Sequence, residues 1–267
     1  MGNLILSKNY RAAHPYYAAE LGIHLYTIEE LCYYIYNNVM LIDEGFFDDR
    51  LYKFIDEVGY EALTLKLKKW EGSVPFNERV MAILQDVHYY DDREIGLFRD
   101  EVNRISREGY DVILKEKADY LVSISRYYDA IKMYEKILSL KDFDDGVRKA
   151  KVYSGLGTAH ARLFSYKQSM QYYLKAYELD DDARFLRNAY MVSKVSNSEK
   201  LPEEVLKNIS ETTASMWDEE FEEIKLRASQ SDEVLELTAL GEKDARKKRN
   251  GFLKMLMKWK ADFKRCQ

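Results

Sequence analysis

Only three prolines, Pro15, Pro75 and Pro202, interrupt a chain of 267 residues, where average usage of about 5% would supply roughly 13. Proline removes a backbone donor and clashes with the preceding turn, so its absence from 16–74 and 76–201 leaves helices free to run. Glycine is sparse as well, at 12, while tyrosine reaches 22. Helix breakers are missing and bulky packing rings are abundant, and the fold class expected is all-α. With 46% hydrophobic and 33% charged residues, the chain is neither a solvated disordered polymer nor a membrane-embedded body.

The apolar spacing agrees. Thr27-Ile28-Glu29-Glu30 carries a Thr-x-x-Glu capping pattern ahead of Ile28, Leu31, Cys32, Ile35 and Val39, which stripe one helical face. A second helix is expected over 48–58 with Leu51, Phe54, Ile55 and Val58 inward and Gly59 as its stop. A third runs from Ala62 to Trp70. Asn77 is the expected cap of a fourth bearing Val80, Ile83, Leu84 and Val87, and 91–107 form a fifth with Ile95, Phe98, Val102 and Ile105 inward. Alternation of period two is nowhere sustained, so no strand is expected. Connections of a few polar residues make successive helices antiparallel neighbours.

In the middle of the chain the pattern repeats. Residues 153–176 read Tyr153-x2-Leu156-Gly157-x2-His160-x8-Ser169-x3-Tyr173-x2-Ala176. The preceding stretch places Leu114, Ala118, Leu121, Ala130, Tyr134 and Ile137 in the same frame, with Lys117 where a large apolar residue would stand. Small residues at Gly157 and Ser169 let two helices approach, and the rings around them fill the remaining space. Ala130 to Ser169 is 39 residues, which puts extra length around Lys141–Lys149, in a loop or at a helix end. This signature resembles that of the tetratricopeptide repeat family over roughly 110–196, with the turn of the second hairpin at Ser165-Tyr166. A third unit begins at Asp182 with Leu186, Ala189 and Tyr190, but its second half would put Pro202 in a small-residue slot.

The resemblance implies stacked antiparallel helical hairpins, a TPR-like α-solenoid. A C-terminal helix would cap its last apolar face. Three regions are expected: an N-terminal helical region over 1–108, repeats over 109–196, and C-terminal helices over 197–267. Pro202 starts a helix expected to continue through Leu206, Ile209, Met216 and Trp217 toward Phe221 and Ile224. From Glu199 to Lys225 it holds nine acids and three bases. Residues 242–267 reverse the sign, with ten Lys/Arg against Glu242, Asp244 and Asp262, so this tail is +7 within a chain of net charge -5.

Phe252, Met255, Leu256, Trp259 and Phe263 share one face of that tail, with Lys254, Lys258, Lys260 and Lys264 largely around it. Two roles fit: packing on the preceding acidic helix, or peripheral contact of 245–267 with an anionic membrane or partner surface. No transmembrane segment is expected. The opening residues do not read as a secretory leader, since Lys8, Asn9 and Arg11 break the apolar run, and Leu6 stands where myristoylation of Gly2 would need Ser or Thr, Ser7 being one residue late. Cys32 and Cys266 form no disulfide framework, so a reducing, cytoplasmic setting is expected.

Catalytic motifs are not found. His14, His24, His88 and His160 belong to no metal-ligand spacing, and neither a metal nor a cofactor is expected. Asp142-Phe143-Asp144-Asp145-Gly146 departs from a calcium loop and reads as a turn that caps a helix, as does Asp180-Asp181-Asp182. By resemblance, first-helix residues line an inner groove: Lys115, Asp119, Lys151, Thr158, Arg162, Arg184, Arg187 and Met191. Their excess of cations implies an acidic peptide segment or a C-terminal carboxylate of another protein as ligand, with recognition of an acidic segment by Arg162, Arg184 and Arg187. Asp119 replaces the Asn of chaperone-binding members, so chaperone tails are not the expected ligand. The function expected is a non-catalytic interaction scaffold or adaptor. Nucleic acid is an unfavoured partner, although Lys247-Lys248-Arg249 offers a basic run for an alternative regulatory role. An enzyme would need a buried carboxylate pair in the N-terminal half.

Overall fold

A computed structural model describes residues 11–196, 199–241 and 244–265. Of the residues named above, Gly2, Leu6, Ser7, Lys8, Asn9, Glu242 and Cys266 lie outside them, as does the side chain of Phe263. The described residues are mostly helical, and the chain divides into two compact units, Met1–Ile113 and Leu114–Gln267. The division falls after Ile113. The buried positions of the helix that spans the division, Leu114, Ala118 and Leu121, begin only at 114.

In the first unit, β1 (Tyr16–Ala18) and β2 (Ile23–Leu25) form a short antiparallel hairpin with Tyr17 opposite His24. This corrects the expectation of no strand. Three residues are too few for an alternating pattern to register, and Gly22 supplies the left-handed turn at φ 66°. Then come α1 (Ile28–Asn37), α2 (Asp49–Glu57), α3 (Glu61–Trp70), α4 (Phe76–Val87) and α5 (Asp92–Arg107). Thr27 accepts from the Glu30 amide, Asp48 accepts from the Arg50 and Leu51 amides, and Asp91 with Glu94 completes a capping box. Asn77 does not cap α4. The amides of Glu78 and Arg79 donate to the Pro75 carbonyl, so the helix opens before Asn77. The apolar stripes meet in one core from Ala12 to Val102. Arg79 is buried beside it, paired with Glu44 and lying over the Phe47 ring.

The second unit contains α6 (Tyr110–Ser123) from Leu114 onward, α7 (Tyr127–Leu138), α8 (Gly146–Arg162), α9 (Tyr166–Leu179) and α10 (Ala183–Val195). Helices α7 and α8 pack together, as do α8 with α9 and α9 with α10. Both hairpins turn in the same way at an offset of 39 residues. Ser125 and Phe164 adopt left-handed φ of 65° and 59°, and the amides of Arg126 and Ser165 donate to the carbonyls of Leu121 and His160. The turn therefore centres on Phe164, and Tyr166 already opens α9. The extra length lies in the connection before Asp145, whose carboxylate caps α8 by accepting from the Arg148 amide. Asp182 caps α10 through the Arg184 amide.

The helix expected to run on from Pro202 is broken. Helix α11 (Glu203–Leu206) is a single turn, and α12 (Glu211–Ser229) restarts after Ser210, whose hydroxyl accepts from the Thr213 amide. Helices α13 (Asp232–Gly241) and α14 (Ala245–Arg265) complete the described residues. Helix α14 packs on α13, so the basic tail's neighbour is not the acidic helix expected. Of its predicted stripe, Met255 is buried while Phe252, Leu256 and Trp259 are exposed. No helix of the described residues is long and apolar enough to cross a membrane.

Candidate functional site

Helix α8 owes its central position to two glycines and a serine. A Cβ on Gly157 would stand 2.9 Å from the Tyr173 ring, and the Ser169 hydroxyl donates to the Gly157 carbonyl at 2.7 Å. The predicted packing residues Leu156, Gly157, Ser169, Tyr173 and Ala176 are buried along this contact, with Tyr153 and His160 half-buried. Tyr172, which the repeat frame left unassigned, stacks with Tyr153 and with His160, at centroid distances of 6.0 and 5.3 Å. Burial holds the His160 imidazole below its ordinary pKa, and its buried Nδ1 has no hydrogen-bond partner.

On the α7 side of α8 the approach is closer still. Tyr134 crosses beneath Gly155, where a Cβ would lie 2.6 Å from the phenol oxygen, and donates to the Asp119 carboxylate at 2.5 Å. Lys115 pairs with the same carboxylate at 2.6 Å. Burial, reinforced by Asp119, pushes the Tyr134 phenol far above its ordinary pKa. One repeat later the Tyr173 hydroxyl meets Thr158 at 2.9 Å. Each hairpin thus fastens a second-helix tyrosine to its first helix at the same register. Neither Gly155 nor this linkage was read from the sequence. The signal was there, since 119 and 158 share the 39-residue offset of 134 and 173.

These contacts form the wall of a cleft of about 500 Å³. Helix α6 contributes Lys115, Asp119 and Val122; α8 contributes Lys151, Ser154, Gly155 and Thr158; α10 contributes Arg184, Phe185 and Asn188. Tyr134 closes it from behind, and Asp180 and Asp182 enter from the α9–α10 turn. Five of the eight expected groove residues therefore converge: Lys115, Asp119, Lys151, Thr158 and Arg184. Arg162, Arg187 and Met191 do not line it. Arg162 is exposed at the far end of the α8 stripe that carries Lys151 and Thr158. Met191 is half-buried.

The expected cation excess is absent from the cleft. Lys115, Lys151 and Arg184 are matched by Asp119, Asp180 and Asp182. Arg184 pairs with Asp182 at 2.5 Å, an interaction that holds the carboxyl below its ordinary range and the guanidinium above. Counting only helix faces missed the acids of the α9–α10 turn. Arg187 is engaged elsewhere, by Glu220 of α12, whose Asp218 also accepts from Tyr190 and pairs with Lys194, each at 2.8 Å. The chain's own acidic helix thus holds the cation assigned to a foreign peptide. Among the described residues, Lys151 keeps no acidic partner, and neither does Arg162.

Compared with family models, curated proteins and solved structures, the chain matches none. Ser154, Thr158 and Asn188 offer neutral donors and acceptors, Lys151 offers a free cation, and Phe185 offers an apolar face. No cluster of three or more potential metal ligands occurs among the described residues.

Proposed function

We propose that the chain is a non-catalytic interaction scaffold, with tetratricopeptide-like hairpins that hold an extended segment of another protein across α6, α8 and α10. The observation that carries this reading is the convergence of three alternate helices on one cleft, where α8 and α10 present short polar side chains beside a cation and α6 presents the Lys115–Asp119 pair. An extended peptide needs such a surface: amide and hydroxyl groups for its backbone, and separated charges for its side chains. A carboxylate of the ligand meets Lys151 in the cleft, and Arg162, beyond the cleft on the same α8 stripe, extends the contact; neither cation has an acidic partner among the described residues. Lys115 and Asp119 are spent on each other and shape the α6 wall of the cleft.

The reading is tested by affinity purification of the tagged full chain beside a Lys151→Glu/Arg162→Glu variant. Both side chains are exposed, so the fold is expected to survive, as circular dichroism would report. Loss of the same captured protein from the variant is the expected result. Equal capture by both would reject the cleft.

A further inference from the structure

Among the described residues, helix α14 is buried along one side, against α13. Gly251 admits Leu240 of α13, whose Cδ1 would lie 3.0 Å from a Cβ at that position, and Met255 is buried beside it. The opposite face is open. Phe252, Leu256 and Trp259 follow one another at i, i+4 and i+7, with Leu253 and Met257 alongside, and all five are exposed, Met257 to 69%.

The cations are interleaved with these apolar groups rather than set against them. Arg249, Leu253, Leu256 and Lys260 form a single stripe at i, i+4, i+7 and i+11. Arg246, Lys247, Lys248 and Arg249 all occupy the start of the helix, where the dipole disfavours positive charge. Local stability is not what this arrangement serves. Asp244 takes up Lys247, and Glu233 stands 3.9 Å from Lys258. Arg249, Lys254 and Lys260 have no acidic partner among the described residues.

We infer that α14 docks in the plane of an anionic lipid surface, with Phe252, Leu253, Leu256, Met257 and Trp259 entering the headgroup boundary and Arg249 and Lys260 reaching lipid phosphates and carboxylates. Charge complementarity selects this occupant. Lysine is depleted in the cores of protein interfaces, whereas on a bilayer its stem lies along the apolar face while the ammonium reaches the headgroups. Nucleic acid would use the cations and leave the exposed leucines and Trp259 without a role. Docking is peripheral, since no described helix can span a bilayer. It goes beyond the cleft reading and does not depend on it.

The test is co-sedimentation of the full chain with phosphatidylcholine vesicles, with and without phosphatidylserine, with tryptophan emission followed in parallel. Binding is expected only to vesicles containing phosphatidylserine, with a blue shift that Trp259→Phe removes. Arg249→Gln and Lys260→Gln each lower partitioning about fivefold. Leu253→Ser/Leu256→Ser, altering side chains that are already exposed, lowers it roughly tenfold or more while helicity is kept. Sedimentation indifferent to phosphatidylserine would overturn the assignment. So would binding without a Trp259 shift, retention on duplex DNA that survives the double serine variant, or a dimer in solution that this variant converts to monomer.

Discussion

The phenol of Tyr134 reaches the Asp119 carboxylate through a gap that exists because residue 155 has no side chain. Gly155→Ala puts a Cβ against the Tyr134 ring, a crowding that costs about 1–3 kcal/mol. Better helix propensity returns about 1 kcal/mol. A net loss is therefore expected, and Gly155→Leu should lose more. Gly96 of α5 provides the contrast, since nothing lies within 4 Å of a Cβ there and Gly96→Ala should gain up to about 1 kcal/mol. Urea unfolding of the three variants checks the order; a stabilising Gly155→Ala would contradict the close approach.

Removing the two repeat-related hydroxyls should have unequal effects. Tyr134 donates to a carboxylate, and Tyr173 meets the neutral Thr158 hydroxyl. Tyr134→Phe is expected to cost about 1.5–3 kcal/mol and Tyr173→Phe about 1 kcal/mol, following the difference between charged and neutral hydrogen bonds. Asp119→Asn should bring the first value down toward the second, a coupling that a double-mutant cycle reads directly.

Much of this architecture was legible in the sequence because burial imposes a period. Leu51, Phe54 and Ile55, or Ile95, Phe98 and Val102, could be placed from spacing alone. The repeat frame likewise brought Gly157 against Ser169 by pairing small residues. What escaped was set by single contacts. The β1–β2 hairpin rests on three residue pairs, and the break before α12 rests on the Ser210 hydroxyl choosing a new helix start. The cleft's charge was misread because Asp180 and Asp182 lie in a turn, outside any helical stripe. The engagement of Arg187 by Glu220 joins residues 33 positions apart, and no local pattern encodes it.

Acidification should weaken the second unit through His160. Its folded-state pKa lies below the ordinary value of 6.5 because burial disfavours the imidazolium, and its Nδ1 has no acceptor for a new proton. A depressed folded value means that this contribution is intact above the unfolded pKa and is lost as pH falls through the interval beneath it. His160→Phe keeps a ring against Tyr172 and removes the titration. Below pH 6.5, the wild-type denaturation midpoint should fall more steeply than that of the variant; parallel curves would show that the imidazole is free to charge in the native state.

The docking of α12 on α10 should behave as an electrostatic latch. Arg187 lowers the Glu220 carboxyl, and Lys194 together with Tyr190 lowers that of Asp218. Both depressed values mean that the docked state is favoured above the ordinary carboxylate range and released as pH falls below it. Both pairs are partly exposed, so salt should weaken them too. The Tyr190–Trp217 ring contact, 5.3 Å between centroids, is apolar and salt-insensitive, so the root of α12 should hold while residues beyond Glu220 exchange faster. Glu220→Arg should give the same pattern at neutral pH and low salt, and adding Arg187→Glu should reverse it. Hydrogen exchange along 211–229 measures this directly. Uniform protection in wild type and Glu220→Arg alike would show that the ring contact alone seats the helix.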